Sequence, residues 1–387
     1  MATGHGHQVN RREFLAGAVS VAALARLQPP SSDARLVGTV PLYLPGRPVP
    51  PLERLIASGL DARLATDLST LDAAKPDTLV IPNNRYYVRT AAPKGPDAWV
   101  AIPIRGRVET PVTLSIADVE RAGVQAGPYV MECAGNADPT NYGLLSAAEW
   151  EGAPLLPLLD RVKPSAGAYR ILVTGMDDDG PASTSVPGAS WTFPRDQLEH
   201  AILAVRMNGA PLPRDHGFPV RLIVPGWYGC ACIKWVTAIE LVPDDAPATT
   251  QMWEFARRTH QPTDERGGPP QLARDFVPAV IDTAATPVRI EKWNVAGRLQ
   301  YRIVGIIWGG TKPTNALSIR FRSGDSWTRV DDCPIPKTMD TWTLWTHTWT
   351  PAETGRYQIV LRVDAPSIRT RRLDLFFYTR EVEISEI

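Results

Sequence analysis

Apolar and polar positions along this chain change rhythm at two places, and the changes divide it into regions. Residues 26–75 are proline-rich and hold one apolar patch, 52–68, that predicts a helix. Between 76 and 245 both rhythms occur. Residues 115–122 and 155–162 place apolar side chains at helical spacing, whereas 169–174, 204–207, 220–224 and 233–242 read as strands. This mixture predicts an α+β unit with a mixed core over residues 26–245. Residues 246–284 contain Pro247 and the turn sequence Gly267-Gly268-Pro269-Pro270, which predicts a linker. From 285 onward the alternation is that of strands, at 288–290, 302–308, 317–321, 342–349, 357–363 and 373–384. Short strands at such spacing predict an immunoglobulin-like β-sandwich over 285–387.

The N-terminus adds a signal to this pattern. Asn10-Arg11-Arg12-Glu13-Phe14-Leu15 precedes an apolar stretch over 16–24 that is too short to span a bilayer. Two arginines before a hydrophobic pair predict a twin-arginine signal peptide over 1–25 and a periplasmic destination. The remaining sequence has no stretch long and apolar enough to predict a membrane span.

Composition narrows the function classes. Lys plus Arg total 41, as do Asp plus Glu, so the formal net charge is zero. That argues against nucleic acid as a bulk partner. The 37 prolines and 29 glycines favour short elements over long helices. The four cysteines, Cys133, Cys230, Cys232 and Cys333, match no zinc spacing and no haem-attachment motif. Cys230 and Cys232 are too close in sequence for a good bridge, so free thiols are expected.

Two segments carry candidate chemistry. Residues 215–235 hold a strand-like run, a Pro225-Gly226 turn and a second run from Ile233, which reads as an apolar hairpin flanked by His216, Arg221 and Lys234. Buried charge is costly unless paired, so these groups either reach solvent or face an anion held against the fold. The second segment, Met131-Glu132-Cys133-Ala134-Gly135-Asn136, follows an apolar run and is rich in small residues.

Together these segments resemble the sulfite oxidase family of molybdenum enzymes. Its hallmark is a Cys-Ala-Gly-Asn cysteine followed about eighty residues later by Asp-His-Gly-Phe-Pro-Val-Arg and Lys-Trp, all present here in order. Arg85-Tyr86-Tyr87-Val88-Arg89, Gly143-Leu144-Leu145-Ser146, Glu149-Trp150-Glu151-Gly152 and Met207-Asn208-Gly209 extend the resemblance over roughly residues 75–245.

The resemblance implies a molybdenum–molybdopterin cofactor with Cys133 as the metal's protein ligand. A thiolate is a soft ligand suited to a redox metal. It further implies that Tyr87, Val88, Arg89, Asp177, His216, Arg221, Cys232, Ile233 and Lys234 contact the cofactor, and that Arg89 also holds substrate. A C-terminal sandwich that supports a homodimer is implied as well. The reaction expected is two-electron oxygen-atom transfer on a small, sulfur-containing substrate. A separate electron carrier such as a c-type cytochrome is expected, because this chain has no haem motif.

The sequence also departs from the family. Ala137-Asp138 stand where many members have two arginines, and Thr90-Ala91 follow Arg89 where an Asn-His is common. No Tyr follows Trp253, although Arg257 and Arg258 do, and Arg369, Arg371 and Arg372 take the place of a recognisable C-terminal motif. These departures predict a less cationic pocket and weak sulfite oxidation. They leave open a sulfoxide or S- or N-oxide reductase, and a non-catalytic cofactor-bearing assembly protein.

Overall fold

The structure, a computed structural model, describes residues 33–46, 49–93, 101–136, 143–176 and 189–387. Over these residues the chain is mainly β. Three short α-helices occur among them: Ile116–Arg121, Leu155–Arg161 and Thr250–Phe255. The first starts on a capping box, in which Asp118 N donates to Ser115 Oγ at 3.1 Å and Ser115 N donates to Asp118 Oδ2 at 2.8 Å.

Two five-stranded sheets form the N-terminal part. In the first, Val124–Glu132 pairs antiparallel with Leu145–Pro154, which pairs with Ile202–Met207; Ala210–Pro211 and Arg221–Ile223 also pair with that third strand. Leu145–Pro154 is buried on both faces, which its small residues permit. A Cβ on Gly152 would lie 2.1 Å from the Leu203 carbonyl oxygen. The second sheet runs Val112–Ser115, Ala101–Gly106, Val236–Val242, Arg170–Gly175, Ser190–Pro194, with one parallel pair between Val236–Val242 and Ala101–Gly106.

Two four-stranded antiparallel sheets follow. One runs Ala34–Val40, Ala284–Val295, Arg298–Trp308, Thr343–Trp349, and the other Thr328–Arg329, Leu317–Arg320, Gly355–Val363, Arg380–Ile384. The first strand of the described chain therefore belongs to a sheet otherwise made of C-terminal residues. The expected lead-in is in part a structural strand.

Several local expectations fail for identifiable reasons. Residues 52–68 form no α-helix; they hold a 3₁₀ turn at Gly59–Asp61, a short strand Arg63–Leu64 and isolated bridges. Glu53, Ala57 and Gly59 all have φ near +55°, which no right-handed helix accommodates. The expected hairpin at 220–242 is split between the two N-terminal sheets. Its halves share the backbone hydrogen bonds Leu222 N to Ile233 O at 2.8 Å and Val236 N to Val220 O at 3.0 Å. The strand expected over 373–384 is confined to Arg380–Ile384, after a 3₁₀ turn at Phe376–Tyr378. The stretch expected to be a linker holds the third helix, and Ala273, Ala279 and Ile281 are buried.

Trp342, Trp345 and Trp349, which alternation alone leaves exposed, are buried. Trp345 sits opposite Gly305, where a Cβ would come within 2.1 Å of the indole, and Trp349 stacks on Phe321 at 4.2 Å. They are core residues and give no support to self-association.

Candidate active site

Cys133 lies just past the strand Val124–Glu132, on the turn Cys133–Asn136. Its N–H donates to Leu144 O at 2.9 Å, and Asn136 N closes the turn on Cys133 O at 2.9 Å. The thiol is 6% exposed. Beside it, Tyr87 is buried and its N–H donates to Ser146 Oγ at 3.0 Å. Arg89 ends the two-residue strand Val88–Arg89, which pairs with Arg63–Leu64 so that Arg89 and Arg63 sit opposite each other. Gly229 closes in over this edge: a Cβ there would meet Tyr87 Oη at 2.4 Å.

The segment 214–235 supplies the facing wall. The 3₁₀ turn Arg214–His216 ends at Gly217, whose φ of +115° is accessible to glycine and few others. A Cβ there would also lie 3.0 Å from Arg221 Cβ. This close approach brings His216, Arg221 and Lys234 together. Lys234 Nζ donates to Asp215 O at 3.0 Å and Arg89 O at 3.1 Å and lies 4.1 Å from the Trp235 ring centroid. Cys232 Sγ accepts from Val224 N at 3.5 Å.

Tyr87, Arg89, Cys133, Arg221, Cys232, Ile233 and Lys234 line one cleft, joined by Cys230 and Phe255. Two expected residues do not lie on its wall. Val88 is buried behind it, and His216 points to the Asn83 carbonyl at 2.8 Å. Asp177 and Asp138 lie outside the described residues. All four cysteines are free thiols.

Charge in the cleft follows from burial. Arg221 is 5% exposed, and its guanidinium reaches the Cys232 and His216 carbonyls, at 3.3 Å each, Met131 Sδ at 2.8 Å and the Trp150 ring, 5.5 Å from its centroid. No carboxylate among the described residues pairs with it. A buried cation without a counter-charge is costly, which marks the cleft as a place for an anion. His216 contributes no charge at neutral pH. Burial pushes its imidazole down to about 4, with Arg221 and Lys234 adding to the effect against the Asn83 hydrogen bond. The reading of His216 as a cation is thereby corrected: it acts as a hydrogen-bonding group.

Around Cys133 itself, burial pushes the thiol upward, while Arg89, Arg258 and Arg63 pull it toward the thiolate. Arg63, desolvated and facing Arg89, is itself lowered to about 10. Arg63 belongs to no motif, and only its strand pairing with Arg89 brings it here. Arg258 lies on a second cleft, on the Ala134–Gly135 side of the turn, with Arg257, His260, Arg371 and Arg372. Arg63 and Arg258 thus add to Arg89 as cations whose fields reach Cys133.

Glu132, beside Cys133, is a further residue that pattern reasoning passes over. It is fully buried and accepts from Trp308 Nε1 at 2.9 Å, Tyr378 Oη at 3.0 Å and Asn136 Nδ2 at 3.1 Å. Burial raises its carboxyl, opposed by Arg371 and these donors.

The donor set speaks to the cofactor. No group of three or more His, Cys, Asp or Glu able to hold a metal occurs among the described residues. Cys133 by itself would offer a metal one soft ligand, leaving room for ligands from a non-protein group. A dithiolene-bearing pterin with a phosphate fits: one soft thiol is offered, and the adjoining cleft holds Arg221 without a counter-ion and Lys234.

Comparison with known proteins agrees with this chemistry. Residues 89–250 match the model of the oxidoreductase molybdopterin binding domain. Sulfite oxidase of Gallus gallus is 27% identical over 315 residues, covering 72% of this chain and 65% of its own length. Mitochondrial sulfite oxidase of Homo sapiens is 25% identical over 295 residues, covering 70% and 53%. Nitrate reductase (NADPH) of Beauveria bassiana is 28% identical over 275 residues, covering 63% and 30%. The chain thus spans less than two thirds of these relatives. The crystal structure of the sulfane dehydrogenase SoxCD from Paracoccus pantotrophus shares the fold, with a TM-score of 0.61 and 20% identity over 87% of this chain and 90% of that one. The chain thus carries a molybdopterin-binding oxidoreductase domain over residues 89–250 and is similar to the sulfite oxidases.

Proposed function

We propose that this enzyme transfers an oxygen atom to or from a small anionic sulfur compound and passes the two electrons to or from a separate carrier. The observation that carries this reading is the cleft shared by Cys133 and Arg89, with Arg63 paired opposite Arg89 and Arg258 on the Ala134–Gly135 side of the cysteine turn. When bound, molybdenum supplies the two-electron redox step and the oxygen-atom chemistry. The chain's own residues do the rest. Cys133 offers the metal its thiolate, and Arg221 and Lys234 hold the anionic part of the cofactor. Arg89, Arg63 and Arg258 attract an anion to the thiol and orient it. A neutral sulfoxide gains little from three cations, so the arrangement favours an oxoanion over the sulfoxide or N-oxide alternatives. The test is steady-state turnover with sulfite, thiosulfate and dimethyl sulfoxide by the metal-loaded protein. The expected result is activity on an anion that declines with ionic strength. Turnover of the sulfoxide alone would overturn the reading.

We also infer export by the twin-arginine route, supported by Arg11-Arg12 ahead of Phe14-Leu15. Periplasmic accumulation of a variant with both arginines changed to Lys would refute it. A c-type cytochrome is the proposed carrier, since this chain has no haem-attachment motif. The two C-terminal sheets support the immunoglobulin-like sandwich reading. The homodimer rests on the family resemblance, and light scattering at micromolar concentration tests it.

A further inference from the structure

We propose that the C-terminal β region is a positioning part of the active site, acting on Cys133 through Glu132 and Ala134, the residues on either side of it. The inference rests on the reading of Cys133 as the metal's ligand. On one side, the Glu132 carboxylate is gripped by Trp308 at 2.9 Å and Tyr378 at 3.0 Å, both from C-terminal elements. On the other, Arg371 Nη2 donates to the Ala134 carbonyl at 3.3 Å, and its Nη1 donates to Arg258 O at 3.1 Å. Arg371 is itself fixed over the Tyr228 ring at 4.6 Å. The turn between these grips is closed by Asn136, whose Nδ2 donates to Glu132 and whose Oδ1 accepts from Leu144 N at 3.2 Å.

Simple packing does not require a fully buried carboxylate at this place. Burying one is costly unless every lone pair is used, and an apolar side chain would cost less. What a carboxylate supplies is direction: it accepts from two fixed aromatic donors in one part of the chain and from the cysteine turn in the other. Rotation of the Cys133 turn must break at least one of these bonds. The thiol is thus held against the C-terminal sheets as firmly as against its own strand, and Glu132 is a positioning residue that touches no substrate.

The test reads the cysteine directly. Cofactor-free protein is treated with iodoacetamide, and modification at Cys133 and Cys230 is followed by mass spectrometry. Cys230 shares the cleft and is of similar exposure, 9% against 6%, which makes it an internal control. Loss of one buried hydrogen bond is expected to raise Cys133 modification about tenfold in Glu132→Gln and severalfold in Tyr378→Phe and Trp308→Phe. Cys230 should stay within about twofold, the scatter expected of a site whose local opening is unaltered. Tyr378→Phe and Trp308→Phe remove one donor with little change of shape, so the proposal stays testable if Glu132→Gln fails to fold.

In metal-loaded Tyr378→Phe, X-ray absorption should show a more disordered metal–sulfur shell at unchanged metal content. Equal rises at both cysteines, an unchanged Cys133, or an unaltered shell would each overturn the positioning role. The alkylation rates do not depend on what the thiol binds. Failure of the ligand assignment is read separately, as an unchanged sulfur count in Cys133→Ser.

Discussion

His216 should give the cofactor-free protein a steep acid sensitivity of a predictable size. The imidazole is 4% exposed and hydrogen-bonded to the Asn83 carbonyl, an acceptor, so Nε2 carries the proton of the neutral ring. Its pKa falls from 6.5 to about 4. A base lowered in this way takes up its proton first in the unfolded chain. Stability is therefore full above about pH 6.5 and declines as pH falls toward 4. At 1.36 kcal/mol per pKa unit, the deficit approaches about 3 kcal/mol at pH 4, and about 2 kcal/mol of it develops between pH 7 and 5. Other groups titrate nearby: burial lowers His347, which adds to the trend, and raises Glu132, which opposes it. Comparing wild type with His216→Gln cancels both. Urea midpoints of the two proteins at pH 7 and pH 5 provide the assay. Wild type should lose about 2 kcal/mol more than the variant over that interval. Equal losses would mean that the ring is solvated or protonated in the native state, and the neutral role given to His216 would fall.

Three other outcomes follow from the same geometry. Arg221→Ala removes a charge-assisted contact of roughly 1.5–3 kcal/mol, so purified protein should retain at least tenfold less molybdopterin, measured by fluorescence of the oxidised pterin. Arg258→Ala should raise KM for an anionic substrate by about tenfold with little change in cofactor content, because it takes one of three cations from around Cys133; steady-state kinetics would show it. Removal of residues 285–387 should leave no metal-binding remnant, since Ala34–Val40 loses its partner strand and Glu132 is left buried without Trp308 and Tyr378; metal analysis and circular dichroism of the truncated chain decide it.

Much of the chemistry was readable along the chain because its parts are local. Cys133 with its small neighbours, and the run from His216 to Lys234, are contiguous segments whose residue types announce their use. The helices 116–121 and 155–161 were visible for the same reason, through periodicity. What escaped was non-local. Arg63 joins the site through a two-residue strand pairing, and Arg258 through the fold of a stretch that looked like a linker. Residues 52–68 carry an apolar pattern compatible with a helix, but backbone at positive φ breaks it. Alternation told that residues 342–349 form a strand. It could not tell that both faces are covered, because that depends on Gly305 and Phe321 in other strands.

The pairing of Ala34 with Val295 also sets an order of events during synthesis. The strand Ala34–Val40 leaves the ribosome before its partner strand, and more than half of the sequence lies between the two. Until then its exposed Leu36 and Val37 have no partner strand beside them. Closure of this sheet is thus a late step, and the arrival of Trp308 and then of Tyr378 over the cysteine turn comes after it. A nascent chain stalled before residue 295 holds every motif of the cleft but neither the seam nor the grip on Cys133, so the cysteine turn is not fixed until those later residues have been made.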